Sequence, residues 1–230
     1  MAISLLKGTA FVTGAASGIG KAAAFAFAYA TALELQAQFP SVEIKQLIID
    51  VTKDNEIDRG VANAVAAFGC IDIAVNNARN VIDVNLSGVW KCQRRMLQQM
   101  LAQERLSVRE GRGTIINVAS MYGLVGPPGN VAATAYTASK HGVLGLTKAD
   151  AITYAPKGIR INSICPGYVD TPLLRANSQT DYMKKELLKV PLGRLSSQEE
   201  TADAIAFLAS PIASFMVGAA LVADGGYSIQ

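Results

Sequence analysis

The chain has 230 residues, half of them hydrophobic and 17% charged, with a formal net charge of +3. That length suits one α/β domain with a real core, and the composition excludes a disordered tail or a disulfide scaffold. The basic residues are scattered, and the lone Arg94-Arg95 pair reads as a solvated helix face, so no nucleic-acid partner is expected.

Short β-branched runs alternate with longer helical stretches along the chain. Thr9–Thr13 predicts a strand, and a glycine-rich turn and an alanine-rich helix from about Ile19 to Tyr29 follow it. Gln46–Asp50 predicts a strand, Asn55–Phe68 a helix and Ile71–Val75 a strand ending at Asn76-Asn77. Then come a long helix over Val84–Glu104, a strand at Thr114–Ala119, a helix over Ala135–Tyr154 and a strand at Ile159–Ile164. Ser197-x-x-Glu200 is a capping box that opens a helix reaching about Ala209, and Ala219–Ala223 is the last strand. Strands separated by helices imply βαβ units and a parallel sheet covered on both faces. No linker or repeat divides the chain, so one domain is expected over 1–230.

Cys70, Cys92 and Cys165 have no CxxC spacing, so free thiols in a reducing compartment and no metal site are expected. No leader pattern precedes the first strand, and no apolar run reaches about 18 residues. A soluble, cytoplasmic protein with no membrane partner is the expectation.

Two motifs carry chemistry. Thr13-Gly14-Ala15-Ala16-Ser17-Gly18-Ile19-Gly20 lies between a strand and a helix, where glycines admit a pyrophosphate and the helix N-terminus offers free N–H groups. Tyr136 and Lys140 stand at i and i+4, on one face of a helix. A tyrosine, with a reference pKa of about 10, serves as an acid/base near neutrality only if its phenolate is stabilised, and an ammonium does that. Ser120, just past the strand TIINVA, should meet the glycine turn's ligand at the carboxyl edge of the sheet.

In order, TGAASGIG, Asp50-Val51, Asn76-Asn77-Ala78, Asn85, Ser120, YTASK and CPGYVDTP resemble the motifs of the short-chain dehydrogenase/reductase family. PLGR (Pro191–Arg194) and DGG (Asp224–Gly226) extend the likeness over nearly the whole chain. The resemblance implies a Rossmann-like, doubly wound parallel sheet and reversible hydride transfer between a nicotinamide and a secondary alcohol or ketone. It implies Tyr136 as general acid/base, Lys140 lowering its pKa and holding the nicotinamide ribose, and Ser120 bonding the substrate oxygen. Asn85 would position a water linking Lys140 to solvent. Gly14, Ser17, Gly18, Ile19 and Gly20 would meet the pyrophosphate and ribose. Asp50 and Val51 would flank the adenine, and Asn76 and Ala78 the adenosine ribose. Pro166, Gly167, Val169 and Thr171 would hold the nicotinamide. The family further implies a homodimer or homotetramer through the helices at Val84–Glu104 and Ala135–Tyr154.

Some residues keep plainer readings. His141 lies off the Tyr136/Lys140 face, Trp90, Met96 and Met100 read as helix packing, and Cys165 reads as a buried thiol. Residues 171–190 read as a mobile lid, with Leu173, Leu174, Tyr182, Met183 and Leu187 giving a fairly apolar pocket.

The sequence departs from the family pattern twice. The second strand and its coenzyme-selecting residue are missing; Glu34 and Glu43 fall in that interval but follow no strand. After Asn76-Asn77-Ala78 the family continues with Gly and a substantial segment, whereas Arg79 follows here and Asn85 comes almost at once. Omission of residues near Ala30/Thr31 and Ala78/Arg79 is the easier explanation, since a lost central strand leaves backbone groups unpaired. Ser17 leans the coenzyme choice from NADP towards NAD, while Lys21 keeps NADP open. The alternative reading is a non-catalytic relative that binds dinucleotide or protein partners without turnover.

Overall fold

Among the described residues, five short runs of mainly β-branched and small residues pair into one parallel sheet. The computed structural model describes residues 9–12, 19, 47–50, 52–76, 82–129, 133–175 and 180–229. Its strands are β1 (Ala10–Val12), β2 (Ile73–Asn76), β3 (Gly113–Val118), β4 (Ile159–Pro166) and β5 (Ala220–Ala223), neighbours in that order. Ala10 pairs with Ile73, Ile73 with Thr114, Thr114 with Arg160, and Ser163 with Ala220. Every residue of β3 and β4 is buried, as a parallel sheet covered on both faces demands.

Strand alternation divides the core into two layers. Ala74, Ile115, Ile159 and Ile161 pack on one face against α1 (Asp54–Phe68), α2 (Val89–Ala102) and the end of α3 (Thr134–Tyr154). Ile73, Val75, Ile116, Val118 and Ile164 face the other way, beneath Ile19 and the helix at Gln198–Ala209. Two short helices precede that one, α4 (Pro172–Arg175) and α5 (Asp181–Leu187), so it is α6. Met96 and Met100 are fully buried core residues of α2, as expected. Trp90 is not: it is 45% exposed, with the Arg94 guanidinium 4.9 Å over its ring. Among the described residues, no helix is long and apolar enough to cross a membrane, and no group of three or more His, Cys, Asp or Glu is placed to hold a metal.

Residues 47–50 correct one expectation, for they form no strand. Leu47 and Ile49 pack against the core while Ile48 is 90% exposed, so the strand-like alternation survives. What is lacking is a ladder: no described strand pairs with this segment, and β1 is an edge strand among the described residues. Apart from Ile19, the helix expected from Ile19 to Tyr29 lies outside the described residues, as do the junctions at Ala30/Thr31 and Ala78/Arg79.

Several polar groups within the core are paired across elements. Asn117 on β3 donates to Gln93 of α2 at 2.7 Å and to Thr147 of α3 at 2.9 Å, and Gln93 donates on to Asp150 at 2.6 Å. The capping box forms as read: Ser197 Oγ accepts from the Glu200 amide at 3.1 Å, and Glu200 accepts from the Ser197 amide at 2.8 Å. At the other end of α6, the buried Arg160 guanidinium donates to the carbonyls of Leu208, Ala209, Ser210 and Ala213 at 3.0–3.3 Å. A cation there satisfies acceptors that the helix end leaves open and meets its negative pole. Arg160→Met is expected to lower stability by about 3 kcal/mol, because the carbonyls stay buried without donors. Urea denaturation measures this, and an unchanged midpoint would reject the capping role.

Candidate active site

In a parallel sheet all strands end at the same edge, and the segments leaving that edge build the site. Ser120 follows β3 there, 7% exposed, and its Oγ accepts the Tyr122 amide at 3.2 Å, closing a 3₁₀ turn over Met121–Gly123. A Cβ on Gly123 would lie 2.9 Å from the Lys140 carbonyl oxygen, so the glycine lets this turn approach α3. Lys140 is 4% exposed, and its Nζ donates to the Val118 carbonyl at 2.9 Å. The ammonium sits 5.6 Å from the centroid of the Tyr136 ring, one helical turn away. Burial pulls the Lys140 pKa down to about 8. The spacing in YTASK therefore delivers the pair it implied.

Asn85 does not sit in regular α-helix. Asp83–Gly88 winds as a π-helix that runs into α2, a local widening typical of functional positions. Asn85 is fully buried, its Nδ2 donates to Ser139 Oγ at 3.3 Å, and Ser139 donates to the Tyr136 carbonyl at 2.6 Å. Asn85 Oδ1 has no hydrogen-bond partner among the described residues. Asn85 is thus tied to the Tyr136 turn with one acceptor to spare.

Beyond β4, Gly167 donates to the Ala223 carbonyl at 3.0 Å, and a Cβ there would fall 2.7 Å from Asp224 Cα. Pro166-Gly167 is therefore pressed against the DGG segment, while Val169 and Thr171 are buried in the stretch that follows. Asp50 accepts from the Thr52 hydroxyl at 2.7 Å and amide at 3.0 Å, and these bonds hold its carboxyl below the usual carboxylate value. Ile19 packs on the β2–β4 face. Gly14, Ser17, Gly18, Gly20, Val51 and Ala78 lie outside the described residues, as does the side chain of Asn76. His141 is exposed, with Nδ1 3.0 Å from the Thr137 carbonyl. Cys165 is a buried thiol pushed up to about 11, chiefly by burial.

One constellation escaped the sequence reading. Tyr122, Tyr168 and Tyr227 meet edge to face, with centroids 5.6–6.5 Å apart. The Tyr122 and Tyr168 hydroxyls are 2.7 Å apart, and Tyr168 and Tyr227 donate to Glu186 Oε2 at 3.2 and 2.7 Å. Met183 of α5 is buried, and Glu186, one turn on, is equally buried. α5 thus carries a buried polar anchor in addition to the apolar residues read from the sequence. Tyr182 and Glu186 stand at i and i+4 on α5, which was the one available signal.

The described part of the site fits a nicotinamide nucleotide. Lys140 carries three N–H donors, of which the Val118 carbonyl takes one. A buried cation with donors to spare suits ribose hydroxyls, and Ser120 and the 166–171 loop flank it from neighbouring strand ends.

Comparison with known proteins gives the same assignment. A family model described as Enoyl-(Acyl carrier protein) reductase matches residues 77–228. The cis-4-hydroxycyclohexanecarboxylate dehydrogenase of Sinomonas cyclohexanicum is 40% identical over 196 residues, 78% of this chain and 74% of its own. The cyclohexanol dehydrogenase of Acinetobacter sp. (strain SE19) is 36% identical over 252 residues, 95% of this chain and 94% of its own. That alignment is longer than this chain's 230 residues, so the Acinetobacter enzyme has internal residues without a counterpart here. A crystal structure of a short-chain type dehydrogenase/reductase from Mycobacterium marinum superposes with a TM-score of 0.86 at 31% identity, covering 98% of this chain and 97% of that one. With its motifs in order on a parallel α/β sheet, and with relatives named as dehydrogenases, the chain belongs to the short-chain dehydrogenase/reductase family.

Proposed function

We propose that this oxidoreductase interconverts a secondary alcohol and a ketone with NAD or NADP, using Tyr136 as general acid/base. The observation that carries the reading is the buried Lys140 ammonium, 5.6 Å from the Tyr136 ring centroid. A cation there favours the phenolate, which is the form that accepts the hydroxyl proton of an alcohol. In the reverse direction the Tyr136 hydroxyl returns that proton to the carbonyl oxygen. Ser120 donates a hydrogen bond to the same substrate oxygen and fixes it against Tyr136. Asn85, with its spare acceptor, orients a water that passes protons between Lys140 and solvent.

A nicotinamide, when bound, supplies the hydride acceptor or donor. Lys140 and the Pro166, Gly167, Val169 and Thr171 stretch hold its ribose and ring. The glycine turn Gly14–Gly20, with Ser17 and Ile19, takes the pyrophosphate; Asp50 and Val51 flank the adenine; Asn76 and Ala78 take the adenosine ribose. Ser17 favours NAD over NADP. The names of the two dehydrogenases above make cyclic secondary alcohols the first substrates to try. A cytoplasmic homodimer or homotetramer, joined through α2 and α3, completes the proposal, with residues 171–190 as the substrate lid.

Tyr136→Phe is expected to lower kcat by a factor of about 10² to 10⁴ while nicotinamide fluorescence still reports cofactor binding. Retained turnover would remove Tyr136 from its role. A second expectation concerns stability. Lys140 titrates at about 8 in the fold, against 10.5 for a free lysine. Between those values the unfolded chain binds more protons, so folding stability rises with pH. Relative to Lys140→Met, the wild type should gain about 3 kcal/mol from pH 8 to 10.5. A flat difference in denaturation free energy across that window would mean that the cation is not desolvated.

A further inference from the structure

We propose that Glu186 is a positioning residue for substrate binding, a buried carboxylate that fastens α5 onto the Ser120 turn. The inference rests on the functional reading above, since it assigns the anchor of that same site's lid.

Glu186 is 2% exposed and is embraced by groups from three other parts of the chain. Tyr168 reaches it from the loop after β4, Tyr227 from the chain's C-terminal 3₁₀ turn, and Lys189 donates to Oε1 at 2.6 Å from just beyond α5. Burial alone raises the Glu186 pKa, but the bonds from Lys189, Tyr227 and Tyr168 outweigh it and hold the group below the usual value. The carboxylate is therefore an anion at neutral pH and can only accept. A phenol has a single proton. Tyr168 commits its proton to Glu186, so at the 2.7 Å contact Tyr122 is the donor and Tyr168 the acceptor. Tyr182, also on α5, lies near Tyr122 and Tyr168.

Two consequences follow. One carboxylate joins the lid helix, the nicotinamide-side loop, the Ser120 turn and the C-terminal turn, the four segments expected around a substrate. It also orients the Tyr122 proton towards Tyr168, which leaves Tyr136 and Ser120 as donors to the reacting oxygen. Loss of the anchor should therefore weaken substrate capture more than the chemistry.

The test compares wild type with Glu186→Ala and Glu186→Gln, using cyclohexanol with NAD and with NADP. Glu186→Ala should raise KM about tenfold with kcat changed less than about twofold, and Glu186→Gln, which keeps one acceptor, should recover part of the loss. Nicotinamide affinity should be unchanged. In parallel, amide hydrogen exchange should speed up in residues 180–190 and 225–229 of the Ala variant while α3 stays as protected as in wild type. An unchanged KM, a loss confined to kcat, or unchanged exchange at 180–190 would overturn the proposal, and so would equal loss of cofactor binding. If the wild type turns over neither cyclohexanol nor a panel of other secondary alcohols and ketones, the functional reading fails, and exchange at 180–190 still decides whether Glu186 anchors the segment.

Discussion

A lysine ammonium buried at the end of a β-strand constrains much of this molecule. Lys140 keeps its charge in the interior only because the Val118 carbonyl accepts from it and α3 packs tightly enough to hold it there. That packing requires Gly123 beside the Lys140 carbonyl and Gly142 against Leu86, where a Cβ would meet the leucine side chain at 2.8 Å. It also places Ser139 where it joins Tyr136 to Asn85. The site is thus a consequence of how closely α3 approaches β3 and the π-helix.

Three of the buried charged residues, Lys140, Arg160 and Glu186, divide the structural labour. Lys140 sits at the carboxyl edge of the sheet, held by a single carbonyl with donors left for a ligand. Arg160, on the neighbouring strand, spends its guanidinium on four carbonyls around the end of α6 and so serves the fold. Glu186 is surrounded by phenols and an ammonium, and joins segments far apart in sequence. What the partners are separates their roles: Arg160 and Glu186 spend their bonds tying segments of the fold together, whereas Lys140 keeps donors open at the sheet edge.

The readable parts of the chain were those whose signals are local. Helix periodicity placed α1, α2, α3 and α6 to within a few residues, and the capping box at Ser197 and Glu200 marked the start of α6. Residues 47–50 show where local signals mislead. Their alternation is real, with Leu47 and Ile49 inward and Ile48 outward, but a strand needs a hydrogen-bonded neighbour, and alternation does not encode one.

The motif order and the i, i+4 spacing of Tyr136 and Lys140 were sufficient by themselves to name the family, the α/β class and the residues on one helical face. Those features depend on covalent spacing and helical period, which the sequence carries directly. Only the tertiary structure decided that Asn85 falls in a π-helix, that Lys140 is desolvated, and that Tyr168 and Tyr227 converge on Glu186 with Tyr122 bonded to Tyr168. These depend on contacts between residues up to about a hundred positions apart, and nothing in the local pattern of a chain specifies which distant side chains will share one buried carboxylate.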